Sequence, residues 1–146
     1  MRVEHVVGFG PVVTDVTAWP EFRRFYEDAL GLPFADDDAY SHTGDIDGIK
    51  HISFRHLTMF ADMCFGTDTW PIDVPPPRGW IEVEVADIEE AIGALMRWGC
   101  RRLGEHRCEQ LRCVSFMLSP DGFLVAITHA NPSVIQQRWR QEASPS

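Results

Sequence analysis

Trp80-Ile81-Glu82-Val83-Glu84-Val85, running into Ala86-Asp87-Ile88-Glu89-Glu90, is the stretch whose reading decides the fold. Residues 80–85 alternate in polarity with period two and include β-branched side chains, the pattern of a strand buried on one face. Asp87 stands where a helix N-cap belongs, with Glu90 at N3 as in a capping box. Ile88, Ala91, Ile92 and Leu95 then form one apolar stripe at helical spacing, and Gly99 supplies a left-handed stop. Two more short strands follow, ending in the runs Val114–Leu118 and Phe123–Thr128. Ser119-Pro120-Asp121-Gly122 carries the turn chemistry that makes those two runs a hairpin. The unit reads β-α-β-β-β. A regular first strand puts Glu82 and Glu84 on the face of Trp80 and turns Val83 and Val85 toward the helix side.

The first half repeats this order. Residues 3–14 read as a strand with a glycine-rich middle, part of which Pro11 assigns to an edge or a bulge. Asp15 precedes a helix with Pro20 near its first turn. Phe22, Phe25, Tyr26 and Ala29 share a helical face, and Gly31 ends the helix. Leu32-Pro33-Phe34 begins a strand, Asp36-Asp37-Asp38 reads as a solvated turn, and residues 49–56 as a second strand. Residues 57–65 read as a third strand, or as a strand preceded by a short helical turn. Asp15 and Asp87 hold corresponding places, so the chain is an internal repeat. The reading divides it into an N-terminal module (1–67), a proline-rich linker (68–79) containing the stiff run Pro75-Pro76-Pro77, a C-terminal module (80–130) and a tail (131–146). Val134, Ile135 and Trp139 of the tail suit a short docked helix. The fold class is α+β: two β-α-β-β-β modules that pair their sheets around a central cleft, because a sheet with one apolar face must be covered.

A chain of 146 residues is enough for one domain with its own core. A net charge of −9 argues against nucleic acid and anionic membranes as partners and suits a ligand that carries positive charge. No apolar run approaches the ~20 residues needed to span a bilayer. Cys64, Cys100, Cys108 and Cys113 form no C-x-x-C pair, so each is expected to be a small buried hydrophobe in a reduced, cytoplasmic protein.

Val12-Val13-Thr14-Asp15-Val16, Phe25-Tyr26-Glu27-Asp28-Ala29-Leu30-Gly31-Leu32, Val83–Ile88 and Ser119–Ala126 together resemble the vicinal oxygen chelate superfamily, glyoxalases and bleomycin resistance proteins among them. The likeness spans residues 5–129. It implies metal ligands from the first and last strands of each module. The first-strand ligand, His or Gln, would stand seven residues before the Asp, at Gly8 and Trp80, and the last-strand Glu of module two at Ala126. The matching place in module one falls near Cys64. Glycine and alanine have no donor atoms, and indole N–H only donates. The expectation is therefore no metal and no cofactor. A relocated site would draw on His51 with His5 or Glu82.

What remains at the cleft is aromatic. Trp80, Phe54, Trp70 and Phe116, with His51 and Glu82, are the expected ligand-binding residues, and no catalytic residue is assigned. Planar faces suit a flat ligand, and Trp also attracts cations. Three readings compete. One is a bleomycin-resistance-like homodimer that sequesters an aromatic compound, cationic or neutral, without chemistry. Another is a metal-dependent lyase, isomerase or dioxygenase with moved ligands, or a metal-free enzyme using His51 or a carboxylate as base. The last is a non-catalytic regulatory module, since fold does not fix function.

Overall fold

A computed structural model of the chain describes residues 1–37, 40–43, 52–108 and 112–130. The elements are β1 (Val3–Val13), α1 (Trp19–Arg24) continuing into a π-helical turn (Phe25–Ala29), β2 (Phe34–Asp37), β3 (Tyr40–Thr43), β4 (Ser53–His56), α2 (Leu57–Phe65), β5 (Gly79–Val85), α3 (Ile88–Arg97), β6 (Arg101–Cys108), β7 (Arg112–Leu118) and β8 (Phe123–Ala130). The strands form one sheet in the order β2-β3-β4-β1-β5-β8-β7-β6. Each module places its first strand parallel to its last, β1 with β4 and β5 with β8. An antiparallel ladder from Val3–Val85 to Pro11–Gly79 joins the modules through β1 and β5. This is the α+β architecture of two paired β-α-β-β-β modules that the repeat implies.

Module two follows its sequence closely. The Asp87 side chain accepts the Glu90 amide hydrogen bond at 3.1 Å and caps α3, which meets the first orphan donors of the helix. The Glu90 carboxylate lies 3.8 Å from the N-terminal amine. Ile88, Ala91 and Ile92 of α3 pack with Val83, Val85, Met117 and Ile127 on one face of the sheet. Trp80, Leu124, Phe116 and Leu118 occupy the other. The phase read from β5 is the one observed.

Module one departs from its reading in three places. Residues 57–65 are helix, with neither of the strand alternatives realised; Phe60, Ala61 and Cys64 form the buried side, and Gly66 at φ 72° closes it with an amide bond to the Asp62 carbonyl. An apolar run of this length is ambiguous between helix and strand, and tertiary packing decided it. The meander is instead completed by β3 and β4, and Asp36 and Asp37 belong to β2 rather than to a turn. Asp38, residues 49–51 of the expected second strand and the tail from 131 lie outside the described residues. Finally, the α1 stripe is not buried: Phe22 and Phe25 are both 55% exposed, and no residue of α1 or the π-turn is buried. The turn into i→i+5 bonding, with the Leu30 amide on the Phe25 carbonyl, shifts Ala29 relative to the Phe22 and Phe25 that precede it. Pro11 fits its expectation: β1 bulges near His5 and Gly8, and meets β4 only beyond the proline, at Val12 and Val13.

The linker is packed rather than free. Val74 and Pro77 are buried, and the Trp70 indole donates to the Val74 carbonyl at 2.9 Å. Among the described residues no helix is long and apolar enough to cross a membrane.

Helix α2 lies on the face of module two opposite α3. It approaches β6 so closely at Gly104 that a Cβ there would run into the Cys64 carbonyl oxygen, and Gly104 has φ 70°. Gly104→Ala is therefore expected to destabilise the fold by about 2–4 kcal/mol, from left-handed strain plus overpacking. Urea denaturation with an unchanged m-value checks it.

Candidate functional site

The face of β5 turned from α3 carries Trp80, Glu82 and Glu84 in alternation. Trp80 is 1% exposed. Its indole N–H donates to the Ser53 carbonyl at 3.1 Å, across from β5 to β4. The Arg55 guanidinium stands 4.2 Å from the ring centroid, a cation–π contact. Phe60 of α2 lies 6.1 Å from Trp80 and 6.3 Å from Phe116, centroid to centroid. Phe60, Cys64, Leu103 and Val74 fill the rest of this hollow. The chain's own helix thus occupies the place where a ligand on Trp80 was expected. Trp70 sits at the margin, half-buried against Phe65. His51 lies outside the described residues.

The ligand positions that the resemblance implies can now be placed. Gly8, Trp80 and Ala126 are buried. The module-one counterpart of Ala126 is not near Cys64, which belongs to α2. The β1–β4 register, Val12 with Arg55, sets Gly10 beside Ser53 when carried two residues back. Gly10 indeed approaches the Ser53 carbonyl so closely that a Cβ would overlap it. The four positions are Gly8, Ser53, Trp80 and Ala126, a set with neither imidazole nor carboxylate, which does not fit a divalent ion. Among the described residues no three His, Cys, Asp or Glu side chains are gathered to hold one.

Further along the same face the lining is polar. Glu82 is 4% exposed and accepts a 3.0 Å hydrogen bond from Arg112. A buried carboxylate needs such a partner, and removing the partner would cost more than the pair contributes. His5 Nε2 lies 3.2 Å from Glu84. Beside Arg112, Cys113 is joined to Cys108 by a disulfide across β6 and β7. This corrects the expectation of four reduced cysteines. The two half-cystines face each other in the ladder, a relation that comes from strand register and is invisible as a sequence motif. Burial pushes the free Cys64 thiol up to about 12, and that of Cys100 upward as well.

The other side of module one holds an open cavity of about 520 Å³. Phe9, Pro11, Tyr26, Leu30, Leu32, Ile52, Phe54 and Phe123 supply its apolar wall, and Arg78 lies at its edge. Phe54, 2% exposed, is its floor and packs within 4.7 Å of Tyr26, 5.2 Å of Phe34 and 5.3 Å of Trp19. Arg23 rests 5.0 Å over Phe34 and pairs with Asp36, whose carboxyl those bonds hold below the usual carboxylate range. A smaller hollow of about 120 Å³ shares Pro11, Tyr26 and Phe54 and reaches Asp15 and Trp19. Of the expected site residues that are described, Phe54 alone lines the open cavity. Trp80, Phe116 and Glu82 gather on the opposite face, under or beside α2. The residues that sequence reasoning passed over, Tyr26, Leu30 and Leu32, come from the Phe-Tyr-x-x-x-Leu-Gly-Leu phrase itself; its apolar spacing carried the signal.

No family model matches the chain, and no curated protein does. Solved structures do. A glyoxalase/bleomycin resistance protein/dioxygenase superfamily member from Vibrio splendidus 12B01 is 14% identical over 86% of this chain and 99% of its own, with TM-score 0.49. Methylmalonyl-CoA epimerase from Mycobacterium tuberculosis is 16% identical over 92% and 93%, with TM-score 0.47. An extradiol ring-cleaving dioxygenase from B.fuscum is 19% identical over 88% of this chain and 33% of its own, with TM-score 0.46. What this chain shows by itself is one eight-stranded sheet built from two paired β-α-β-β-β modules.

With α2 seated, iodoacetamide near pH ~8 is expected to modify Cys100 and spare Cys64, whose thiolate is scarce and covered. Peptide mapping of the labelled protein reads this directly. Equal labelling of both would mean that α2 lifts from the sheet.

Proposed function

We propose that this protein is a metal-free small-molecule-binding protein that holds a flat, apolar compound by burial and breaks no bond. The observation that carries this reading is the 520 Å³ cavity walled by four aromatic rings and by aliphatic side chains. That volume lies in the range of small-ligand sites, which are mostly apolar with few polar groups. Stacking against Phe9, Tyr26, Phe54 and Phe123 contributes roughly 0.5–1.5 kcal/mol per ring beyond burial. The donor set at the family's metal positions supports the metal-free part. Sequestration of this kind would serve resistance to a toxic aromatic compound. A cytoplasmic location loses one support, because it drew on four reduced cysteines and two of them are paired.

The neutral fluorescent probe phenylnaphthylamine is expected to bind, brighten, and raise the melting temperature; at 100 times its dissociation constant a ligand adds about 2.7 kcal/mol. Leu30→Glu, a change at a 55% exposed position on the cavity wall, should abolish both effects while leaving the fold intact. Probe binding that survives Leu30→Glu would remove this cavity as the site.

A homodimer is also proposed. Phe22, Phe25 and Val16 are each more than half exposed on and beside α1, apolar side chains that a second copy would cover. Sedimentation equilibrium is expected to give twice the chain mass, and Phe22→Glu with Phe25→Glu to return it to one.

A further inference from the structure

We propose that the cavity selects a planar apolar acid, an aromatic carboxylate or sulfonate, and that Arg78 reads its anionic group. The inference rests on the cavity being the ligand site and deepens that reading by giving the ligand a charge. Arg78 is the charged side chain among the described residues that line the cavity. Its backbone is pinned on both sides. Its N–H donates to the Gly122 carbonyl at 3.0 Å, and its carbonyl accepts from the Val12 amide at 3.2 Å. Pro77, directly before it, is fully buried. The guanidinium therefore projects from a fixed point, and its side chain is exposed. Among the described residues no carboxylate pairs with it, so its five donors are open to a ligand anion.

The sign of this charge reverses what net charge suggested. A protein of net charge −9 attracts cations at long range, yet the local complement at this cavity is a cation. Asp15 lines only the neighbouring small hollow, and its Oδ1 is committed to the Thr17 amide at 3.0 Å, the Thr17 hydroxyl at 2.7 Å and the Ala18 amide at 3.3 Å. A carboxylate or sulfonate beside an otherwise apolar wall can accept two parallel N–H bonds from Arg78, a fork that also fixes ligand orientation. The Lys ammonium offers the charge without the fork.

Two probes of one skeleton separate the parts of the argument: neutral phenylnaphthylamine, and anilinonaphthalene sulfonate, which adds the anion. Both are titrated by fluorescence into the full chain. The expected result is that Arg78→Gln weakens the sulfonate roughly five-fold, leaves phenylnaphthylamine within about two-fold, and that Arg78→Lys restores part of the loss. The sulfonate preference should also shrink as salt rises. An unchanged sulfonate affinity in Arg78→Gln, or equal losses for both probes, overturns the role of Arg78 and leaves the cavity reading standing. Failure of phenylnaphthylamine to bind the folded wild type overturns the cavity reading and this inference with it.

Discussion

A tryptophan at 1% exposure must place its N–H, and the rest of this structure follows from where that bond goes. A buried donor without a partner costs the full desolvation of the group. Trp80 finds the Ser53 carbonyl, which belongs to the other module. That bond locks β4 against β5 across β1, and Gly10 makes the approach possible because no side chain intervenes. Arg55 then covers one part of the indole, and Phe60 brings α2 down over the remainder. Gly104 completes the seat. Each step removes water from the next, so the hollow expected to be a cleft becomes core.

The functional consequence is a change of side. Where the family likeness implies ligands facing a shared cleft, this chain presents glycine, serine, tryptophan and alanine, and plugs the space with its own helix. The polar remainder of that face includes the pairs Glu82 with Arg112 and His5 with Glu84, the former beside the disulfide-joined end of β6 and β7. The open, apolar concavity lies across the sheet, between β1 and the segment that follows α1. Tyr26 of the π-turn and Leu30 just after it line that space.

Module two was legible because local and global signals agree there. The Asp87 cap, the Ile88–Leu95 stripe, the Gly99 stop and the alternation of β5 all point to one arrangement, and a consistent sequence folds as it reads. The strand phase that put Glu82 beside Trp80 was recoverable from period alone. Residues 57–65 were not. Leu57-Thr58-Met59-Phe60-Ala61-Asp62-Met63-Cys64-Phe65 is apolar enough for either element. Its helix formers and the following Gly66 favour the helix that packing realises. The Cys108–Cys113 bond depends on two residues meeting across a ladder.

By itself the sequence determined the element order of module two, the twofold repeat, the helix cap of module two and the lack of metal donors at Gly8, Trp80 and Ala126, because each is written in local spacing and residue chemistry. Only the tertiary structure decided which hollow stays open, that Phe54 rather than Trp80 lines it, and that an arginine is among the lining residues of a cavity in an acidic protein. Those outcomes depend on which surfaces meet first and exclude water best, a competition among distant segments that no local pattern encodes.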